Sequence, residues 1–325
     1  MRLDRYSHIA QAVFGQPWAI EPETYAKIVD LVHLRNAGVT LTRADVEARI
    51  GGDGRDRPET DVVGGVGVIS CFGVIAQRMN LFASISGGTS TEQMTAEFRA
   101  LRDDPKVKAI LFAIDSVGGT VYGVEELASE IRESRGTKPI IANASSLAAS
   151  AAYWIGSQAD RLFVTPGGDV GSIGVMSAHT DVSGAAEKAG IKTTFISAGK
   201  YKTEGHAFGP LSEDALAYRQ KQVDATMTRF VRAIAAGRGV SEAAVRTGFG
   251  EGRLVNAADA LALGMVDGIE PLDTTLARLQ QAAPASTSLT RASSADTRQE
   301  PVAATRVVRR MPETMWRQLM ESELG

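Results

Sequence analysis

The sequence has too few cysteines and histidines for several kinds of site. One cysteine, Cys71, excludes an intramolecular disulfide and any metal site built from several cysteines. The four histidines show no HExxH or similar ligand spacing, so we expect no structural zinc. These histidines are His8, His33, His179 and His206.

Long apolar runs and a surplus of one charge are also missing. No stretch reaches the roughly 18 apolar residues of a membrane-spanning helix, and the N-terminus has no apolar core of a signal peptide. We therefore expect a cytoplasmic protein without membrane contact. The 35 Lys and Arg against 38 Asp and Glu give a net charge of −3, which argues against a nucleic-acid partner.

The 325 residues divide by composition into four parts. We expect a helical appendage and linker over 1–60, where Glu21–Leu34 has helical spacing and residues 51–61 are polar and glycine-rich. Strands and helices alternate within the main domain, 61–281. Residues 282–303 are typical of a flexible linker, and 304–325 form a short tail that could be a docking helix.

The main domain predicts an α/β fold with a mostly parallel sheet. Continuous apolar runs such as Val66–Ile75 and Val107–Ile114 are typical of strands buried on both faces. Helices of ten or more residues between such strands indicate βαβ units. Further strands are expected at Pro139–Ala142, Arg161–Thr165, Gly171–Ala178, Thr193–Ser197 and 265–268. Helices are expected at Thr91–Asp103, Val121–Ser134, Ala148–Gln158, Val182–Ala189, Ser212–Ala236, 241–248 and 256–263.

Two groups of small residues stand where a ligand could approach the backbone. Gly118 and Gly119 follow a buried strand directly, at the strand end where open α/β sheets bind ligands. Ser150 lies among alanines at the predicted start of a helix, where first-turn amides can stabilise an oxyanion. A plain turn and a tightly packed helix explain the same residues without a site.

A nucleophilic serine needs a base. His179 and His206 are better explained as structural or exposed histidines. A lysine whose pKa is lowered by burial can act instead. The loop after the predicted strand at 193–197 offers Lys200 and Lys202, and spacing alone does not choose between them.

Four ordered segments carry a family resemblance across roughly residues 64–275: VKAILFAIDSVGG, AASAAYWI, GSIGV and GKYKT. They resemble the signal peptide peptidase A family of serine peptidases, which implies the Clp-protease/crotonase-like fold with ββα units and a helical C-terminal part. The sequence departs from that family with Val117 where many members have proline, and with Ser-Ala-Ala where many have Ser-Gly-Gly.

The resemblance implies a role for each site residue. Ser150 matches the nucleophile, Lys202 the general base, and Ser172 the serine that orients the lysine. Gly118 and Gly119 match the oxyanion-hole loop, with the Ala151 amide as a second donor. No metal or cofactor is implied, and a homo-oligomeric ring is expected, because neighbouring protomers of the family can complete each other's sites.

The opening SHIAQAVFGQPWAIEP resembles the phage capsid-assembly (prohead) protease branch, of the lambda protein C type. This implies a protease that cleaves scaffold or capsid proteins and possibly itself, in the host cytoplasm or the prohead interior. The alternatives are a bacterial signal-peptide-peptidase-like protease, an acyl-thioester enzyme of the crotonase-like fold, and a non-catalytic assembly protein. The tail could dock on capsid or portal protein, or pack back on the core, through Arg306, Arg309, Arg310, Met315, Trp316, Leu319 and Met320.

Overall fold

A mostly parallel sheet with helices on both faces positions the candidate site. The computed structural model describes residues 13–36, 39–50, 60–78 and 88–282. The strands are Trp18–Ile20 (β1), Asp61–Val63 (β2), Val66–Ala76 (β3), Thr89–Ser90 (β4), Ala109–Thr120 (β5), Ile140–Ala149 (β6), Arg161–Val164 (β7), Asp169–Gly171 (β8), Leu254–Asn256 (β9) and Gly268–Ile269 (β10). The strands of the main path lie in the order β10-β7-β6-β5-β3-β2.

Helices alternate with these strands. They are Pro22–Asn36 (α1), Arg43–Ile50 (α2), Thr91–Asp103 (α3), Val124–Glu133 (α4), Ala151–Gly156 (α5), Ser183–Lys188 (α6), Glu213–Arg238 (α7), Glu242–Gly248 (α8), Ala257–Ala262 (α9) and Leu272–Ala282 (α10). The predicted α/β class with a mostly parallel sheet is confirmed. The predicted linker and tail beyond residue 282 lie outside the described residues, as do residues 51–59.

Successive side chains of β5 point alternately into two hydrophobic clusters, one on each face of the sheet. Ile110, Phe112 and Ile114 point into the main core with α3, α4, α5 and α7. Ala109 and Leu111 point to the other side, into a smaller cluster that α10 covers. Successive side chains of a strand face opposite ways, so a strand covered on both sides is apolar at every position. The uninterrupted apolar run in the sequence has this cause.

The three central strands change register at one level. β3 and β5 shift between Phe72 and Val74, and β5 and β6 shift between Ile114 and Ser116. At this level the Ser116 hydroxyl donates to the Gly73 carbonyl at 2.6 Å. Bulges of this kind bend strands and increase their twist. Past the bend, β5 pairs antiparallel with β1 while β6 pairs with β8, so both central strands run on toward the candidate site.

Three local predictions are wrong. The expected strand Thr193–Ser197 is irregular, because no sheet edge of the described chain reaches it and its Ile196 is 98% exposed. The expected strand Gly171–Ala178 stops at Gly171, where Gly171 and Ser172 both have positive φ. The expected helix Ala148–Gln158 covers only Ala151–Gly156, because β6 continues through Ala149 to pair with β8.

The C-terminal end of α7 is fixed to the sheet by a half-buried carboxylate. Asp267 accepts hydrogen bonds from the Arg238 guanidinium at 2.7 and 3.0 Å and from the Leu162 amide at 2.7 Å. Burial alone would raise the pKa of the Asp267 carboxyl, but these hydrogen bonds outweigh it and hold the pKa below its ordinary value. The stabilisation is therefore present above the ordinary aspartate pKa and is lost as the pH falls through the lowered value.

We expect Asp267→Asn to lower the free energy of unfolding at pH 7 by about 2 kcal/mol, because it leaves the buried Arg238 guanidinium with a neutral partner. The difference from wild type should shrink below about pH 4, where the wild-type carboxylate is itself protonated. Urea unfolding across this pH range measures both effects. The exposed Asp273→Asn serves as the control and should stay within about 0.5 kcal/mol of wild type. A loss at pH 7 that persists undiminished at low pH would contradict this account.

Candidate active site

Ser150 occupies a sharp turn between β6 and α5. Its backbone has φ 53° and ψ −112°, a conformation that a residue with a side chain rarely adopts. Such a conformation costs on the order of 1–3 kcal/mol and persists only where the surroundings impose it. Here they do, since the Ser150 amide donates to the Gly171 carbonyl at 2.7 Å and the Ser150 carbonyl accepts from the Trp154 amide at 2.9 Å.

The helix after Ser150 is anchored by two aromatic residues. The Tyr153 hydroxyl donates to the Met265 carbonyl at 2.8 Å, and burial raises the pKa of this phenol. Trp154 stacks on Phe230 of α7, with ring centroids 4.4 Å apart and planes 10° from parallel. Both rings are almost completely buried. The direction in which α5 leaves Ser150 is therefore set by the main core.

The Ser150 side chain is enclosed. It has no exposed surface, and its hydroxyl donates to the Gly174 carbonyl at 3.3 Å. Among the described residues this is the hydroxyl's one hydrogen bond. Gly174 belongs to the segment that follows β8, so this segment lies directly against the serine.

The glycine pair lies beside the turn that holds Ser150. Gly118 has φ +87°, and a Cβ there would overlap the Ala19 carbonyl and lie 3.0 Å from the Ala151 amide nitrogen. Gly119 leaves no room for a Cβ against the Ile75 carbonyl. The structure thus brings together Ser150, Gly118 and the Ala151 amide, which stands in the first helical turn and has no acceptor within its helix.

The Gly118 amide has an acceptor already. It donates to the Ser116 hydroxyl at 3.2 Å, and that hydroxyl donates in turn to the Gly73 carbonyl. The hydrogen bond is long for an amide donor, whose ordinary distance is about 2.9–3.0 Å. The sequence reasoning did not single out Ser116, because a serine near the end of a strand carries no signal by itself.

Ser172 lies close to Ser150, directly after the neighbouring strand β8. The residue before it, Gly171, accepts the Ser150 amide, and Ser172 itself has φ 50° and is 4% exposed. The Ser172 amide donates to the Arg253 carbonyl at 2.8 Å. Two buried serines with positive φ therefore flank one pairing between β6 and β8.

Lys202 is not brought to Ser150. It lies in an exposed turn, and its amine makes no hydrogen bond or ion pair with the part of the chain that the structure describes. The neighbouring Lys200 lies 4.6 Å from the ring centre of Tyr201. Phe195, Ile196 and Tyr201 of this segment are all exposed. Within one chain the predicted base is exposed, the predicted nucleophile is buried, and the two share no hydrogen bond.

The histidines at 179 and 206 are occupied elsewhere. His179 Nε2 lies 3.1 Å from the Gly209 carbonyl, while His206 accepts the Phe208 amide and stacks on Phe195 at 4.4 Å. Neither contacts Ser150. In residues 13–36, 39–50, 60–78 and 88–282 no group of three or more His, Cys, Asp or Glu side chains could hold a metal ion. The same residues include no helix long and apolar enough to cross a membrane.

An open pocket of about 670 Å³ connects the N-terminal segment with the turn that holds Lys202. Its walls include Phe14 to Pro17, Ser177, Tyr201 and the first turns of α7 from Asp214 to Val223. Pro17 leads directly into β1, the strand beside Gly118. Sequence reasoning missed β1, because three residues are too few to show a period.

Part of this site lies in a segment that is similar to known proteins. Residues 132–286 match the model of peptidase family S49, a range that includes Ser150, Ser172 and Lys202 but begins after Gly119. The chain is 31% identical over 263 residues to capsid assembly protease C of Escherichia phage lambda, covering 74% of this chain and 60% of that protein.

Two further relatives are similar over comparable lengths. Head-tail preconnector protein GP5 of Enterobacteria phage P21 is 29% identical, with 79% of this chain and 56% of that protein covered. A putative signal peptide peptidase SppA of Enterococcus faecium is 29% identical, with 62% and 58% covered. The chain thus spans somewhat under two thirds of the length of these curated relatives.

We expect Gly119→Ala to lower the free energy of unfolding by about 2–3 kcal/mol, because the new methyl group would overlap the Ile75 carbonyl and force two paired strands apart. Thermal or urea unfolding measures the loss. Gly167→Ala is the matched control, since no atom lies within 4 Å of its Cβ position and its φ is negative. Equal stabilities of the two variants would show that the close approach at Gly119 does not constrain the fold.

Proposed function

We propose that this chain, whose residues 132–286 match the model of peptidase family S49, is a serine endopeptidase with Ser150 as its nucleophile. One observation carries the proposal: a serine with positive φ at a strand–helix turn, beside Gly118 and the first-turn amide of Ala151. A strained serine next to backbone donors is the arrangement that acyl transfer needs. The Clp-protease/crotonase-like fold is part of the same proposal, supported by long parallel strands that bend and continue past their bulges.

The proposed reaction proceeds through an acyl-enzyme. Ser150 Oγ attacks the peptide carbonyl carbon while its proton passes to the neutral amine of Lys202. The amides of the Gly118–Gly119 loop and of Ala151 stabilise the oxyanion, and the protonated lysine then donates its proton to the leaving amine. Water then attacks the ester carbonyl while the lysine takes its proton; the lysine returns this proton to Ser150 Oγ as the ester C–O bond breaks and the second product leaves. The mechanism requires no metal or cofactor.

Two hydrogen bonds must change for this reaction to start. The Ser150 hydroxyl has to leave the Gly174 carbonyl, and the Gly118 amide has to leave the Ser116 hydroxyl. In this proposal Ser172, which is buried next to the Ser150–Gly171 pairing, orients the incoming lysine amine. Both rearrangements are local, since each involves one side-chain hydroxyl.

Lys202 reaches the serine in an assembly of copies, in this proposal a homo-oligomeric ring. The exposed apolar residues Phe195, Ile196 and Tyr201 lie in the same segment as Lys202, and contiguous exposed apolar surface is typical of an interaction site. Burial against a second copy would also remove water from the lysine, which favours its neutral form.

We propose protein substrates of the phage head, namely scaffold or capsid proteins, with the chain itself as a further candidate substrate. Support comes from the 31% identity to a capsid assembly protease. A protease that degrades signal peptides is the second candidate, favoured by the relative of that name from Enterococcus faecium. We also propose the division into an appendage, 1–60, a peptidase domain, 61–281, a linker, 282–303, and a tail, 304–325.

We expect Ser150→Ala and Lys202→Ala each to reduce cleavage of casein by about a thousandfold or more, because each removes one half of the proton-transfer pair. Lys200→Ala, the adjacent lysine, is the matched control and should keep wild-type activity. Mixing the two inactive variants should restore part of the activity, since one contributes an intact serine and the other an intact lysine. The rate of casein cleavage, measured before and after mixing, checks each of these outcomes.

Two results would count against this proposal. Full activity in Ser150→Ala would remove the nucleophile and with it the peptidase mechanism. An inactive mixture of two folded variants would assign the lysine to the same chain as the serine, against completion by a second copy.

A further inference from the structure

A short strand of the N-terminal segment, β1, lies beside Ser150. It fills a slot between the end of β5 and the segment that follows β8. β1 pairs antiparallel with the end of β5, with Trp18 opposite Thr120 and Ile20 opposite Gly118. On its other edge, Trp18 exchanges two backbone hydrogen bonds with Met176, at 2.8 and 2.9 Å. β1 is therefore a guest strand between the glycine loop and the segment that covers the serine.

The guest strand lies against the reacting centre itself. The Ala19 carbonyl and the Ala151 amide nitrogen both lie within 3.0 Å of the Cβ position at Gly118. Ala19 and Ser150 have no exposed surface, while Trp18 and Ile20 are 3% and 2% exposed. A peptide could not approach the serine along this slot while β1 is in place.

An extended substrate would need the same hydrogen bonds. Peptides commonly bind by adding a strand to an exposed edge, with main-chain hydrogen bonds giving affinity and side-chain pockets giving specificity. Here both edges are present: β5 pairs with all of Trp18–Ile20, and the opposite edge pairs with Trp18 through Met176. The occupant has a small residue between two large apolar ones, so the slot accepts that pattern of side chains.

Specific contacts hold β1 in the slot, but its extended segment is short because a helix follows it. The Trp18 indole donates to the Val13 carbonyl at 2.9 Å, and its ring lies 5.5 Å from that of Tyr25. Directly after Ile20 the chain turns into α1, where the Glu21 carboxylate accepts the Thr24 amide at 2.8 Å. The Glu21 amide donates to the Val117 carbonyl at 2.9 Å and the helix begins at Pro22, so the extended pairing of this segment ends at Glu21.

We infer that Trp18–Ile20 fills the peptide-binding slot of its own chain. In this position the strand keeps Ser150 inaccessible to substrate until the strand is displaced. The inference rests on the proposed function, since it identifies the slot of that same site. Its ligand class is an extended peptide with a small residue between two large apolar residues. The ladder is three residues long, so displacement requires only local opening.

Thiol labelling tests the closure without catalysis. In a full chain carrying Ser150→Cys, the introduced thiol should react slowly with a maleimide, as should the buried native Cys71. Adding Trp18→Ala and Ile20→Ala should speed labelling at position 150 at least tenfold while Cys71 stays protected. Leu31→Ala with Val32→Ala is the matched control, because it removes buried apolar residues from the same cluster outside the slot. Peptide mass mapping distinguishes the two thiols.

Labelling at position 150 that is equally fast with the native strand, or equally fast in the control pair, would overturn the inference. If the double variant also exposes Cys71, Ile20→Ala alone takes its place. A synthetic peptide of residues 15–22 should restore protection at least threefold, and the same peptide with Ala19→Pro should not. Failure of the first peptide to protect would also contradict the inference.

Casein cleavage separates this inference from the proposed function. With Ser150 intact, Trp18→Ala with Ile20→Ala should cleave at least tenfold faster than wild type. Faster labelling at position 150, with no casein cleavage by either the wild type or the double variant, would support closure of the site by β1. The same result would contradict the proposed peptidase activity. If chains with the native strand and with the weakened strand cleave casein equally fast and are labelled equally fast, the result would support the peptidase activity and contradict closure by β1.

Discussion

The candidate site depends on the close approach of two backbones at Gly119. No Cβ fits there against the Ile75 carbonyl, and this contact directly follows the register shift of β3 and β5 between Phe72 and Val74. The approach carries Gly118 to the start of α5, where the Ala151 amide and Ser150 lie. A side chain at Gly119 would separate the strands and withdraw the glycine loop from the serine. One packing constraint thus links sheet geometry to the chemistry of the site.

The strained serine is tolerated because its surroundings are fixed on every side. Tyr153 and Trp154 tie the following helix to the core, while pairing with β8 holds the preceding strand. The cost of the unusual backbone, on the order of 1–3 kcal/mol, is small against the burial of two large aromatic side chains. The turn that carries Lys202, by contrast, is exposed.

Long helices were predictable from the sequence. Short strands, and contacts between residues that are distant in the sequence, were not. The helix Thr91–Asp103 matches its prediction, and α7 begins one residue after its predicted start, where Ser212 accepts the Ala215 amide. Periodicity needs about two turns of helix or several alternations, so β1 lay below detection. The strand expected at Thr193–Ser197 had the right composition but no edge to join. The positions of Ser150 and Gly118 beside each other follow from strand ends meeting at one edge, whereas the distance to Lys202 depends on contacts that spacing does not encode.

The central claim is that Ser150 is a nucleophile activated by Lys202 once the slot is open. Labelling with a fluorophosphonate, which reacts with activated serines, tests it most directly in a chain whose guest strand has been weakened. Mass mapping should find the adduct on Ser150 and on no other serine, and Lys202→Ala should abolish it. A chain that stays folded without an adduct at Ser150, or an equal adduct in Lys202→Ala, would contradict the account.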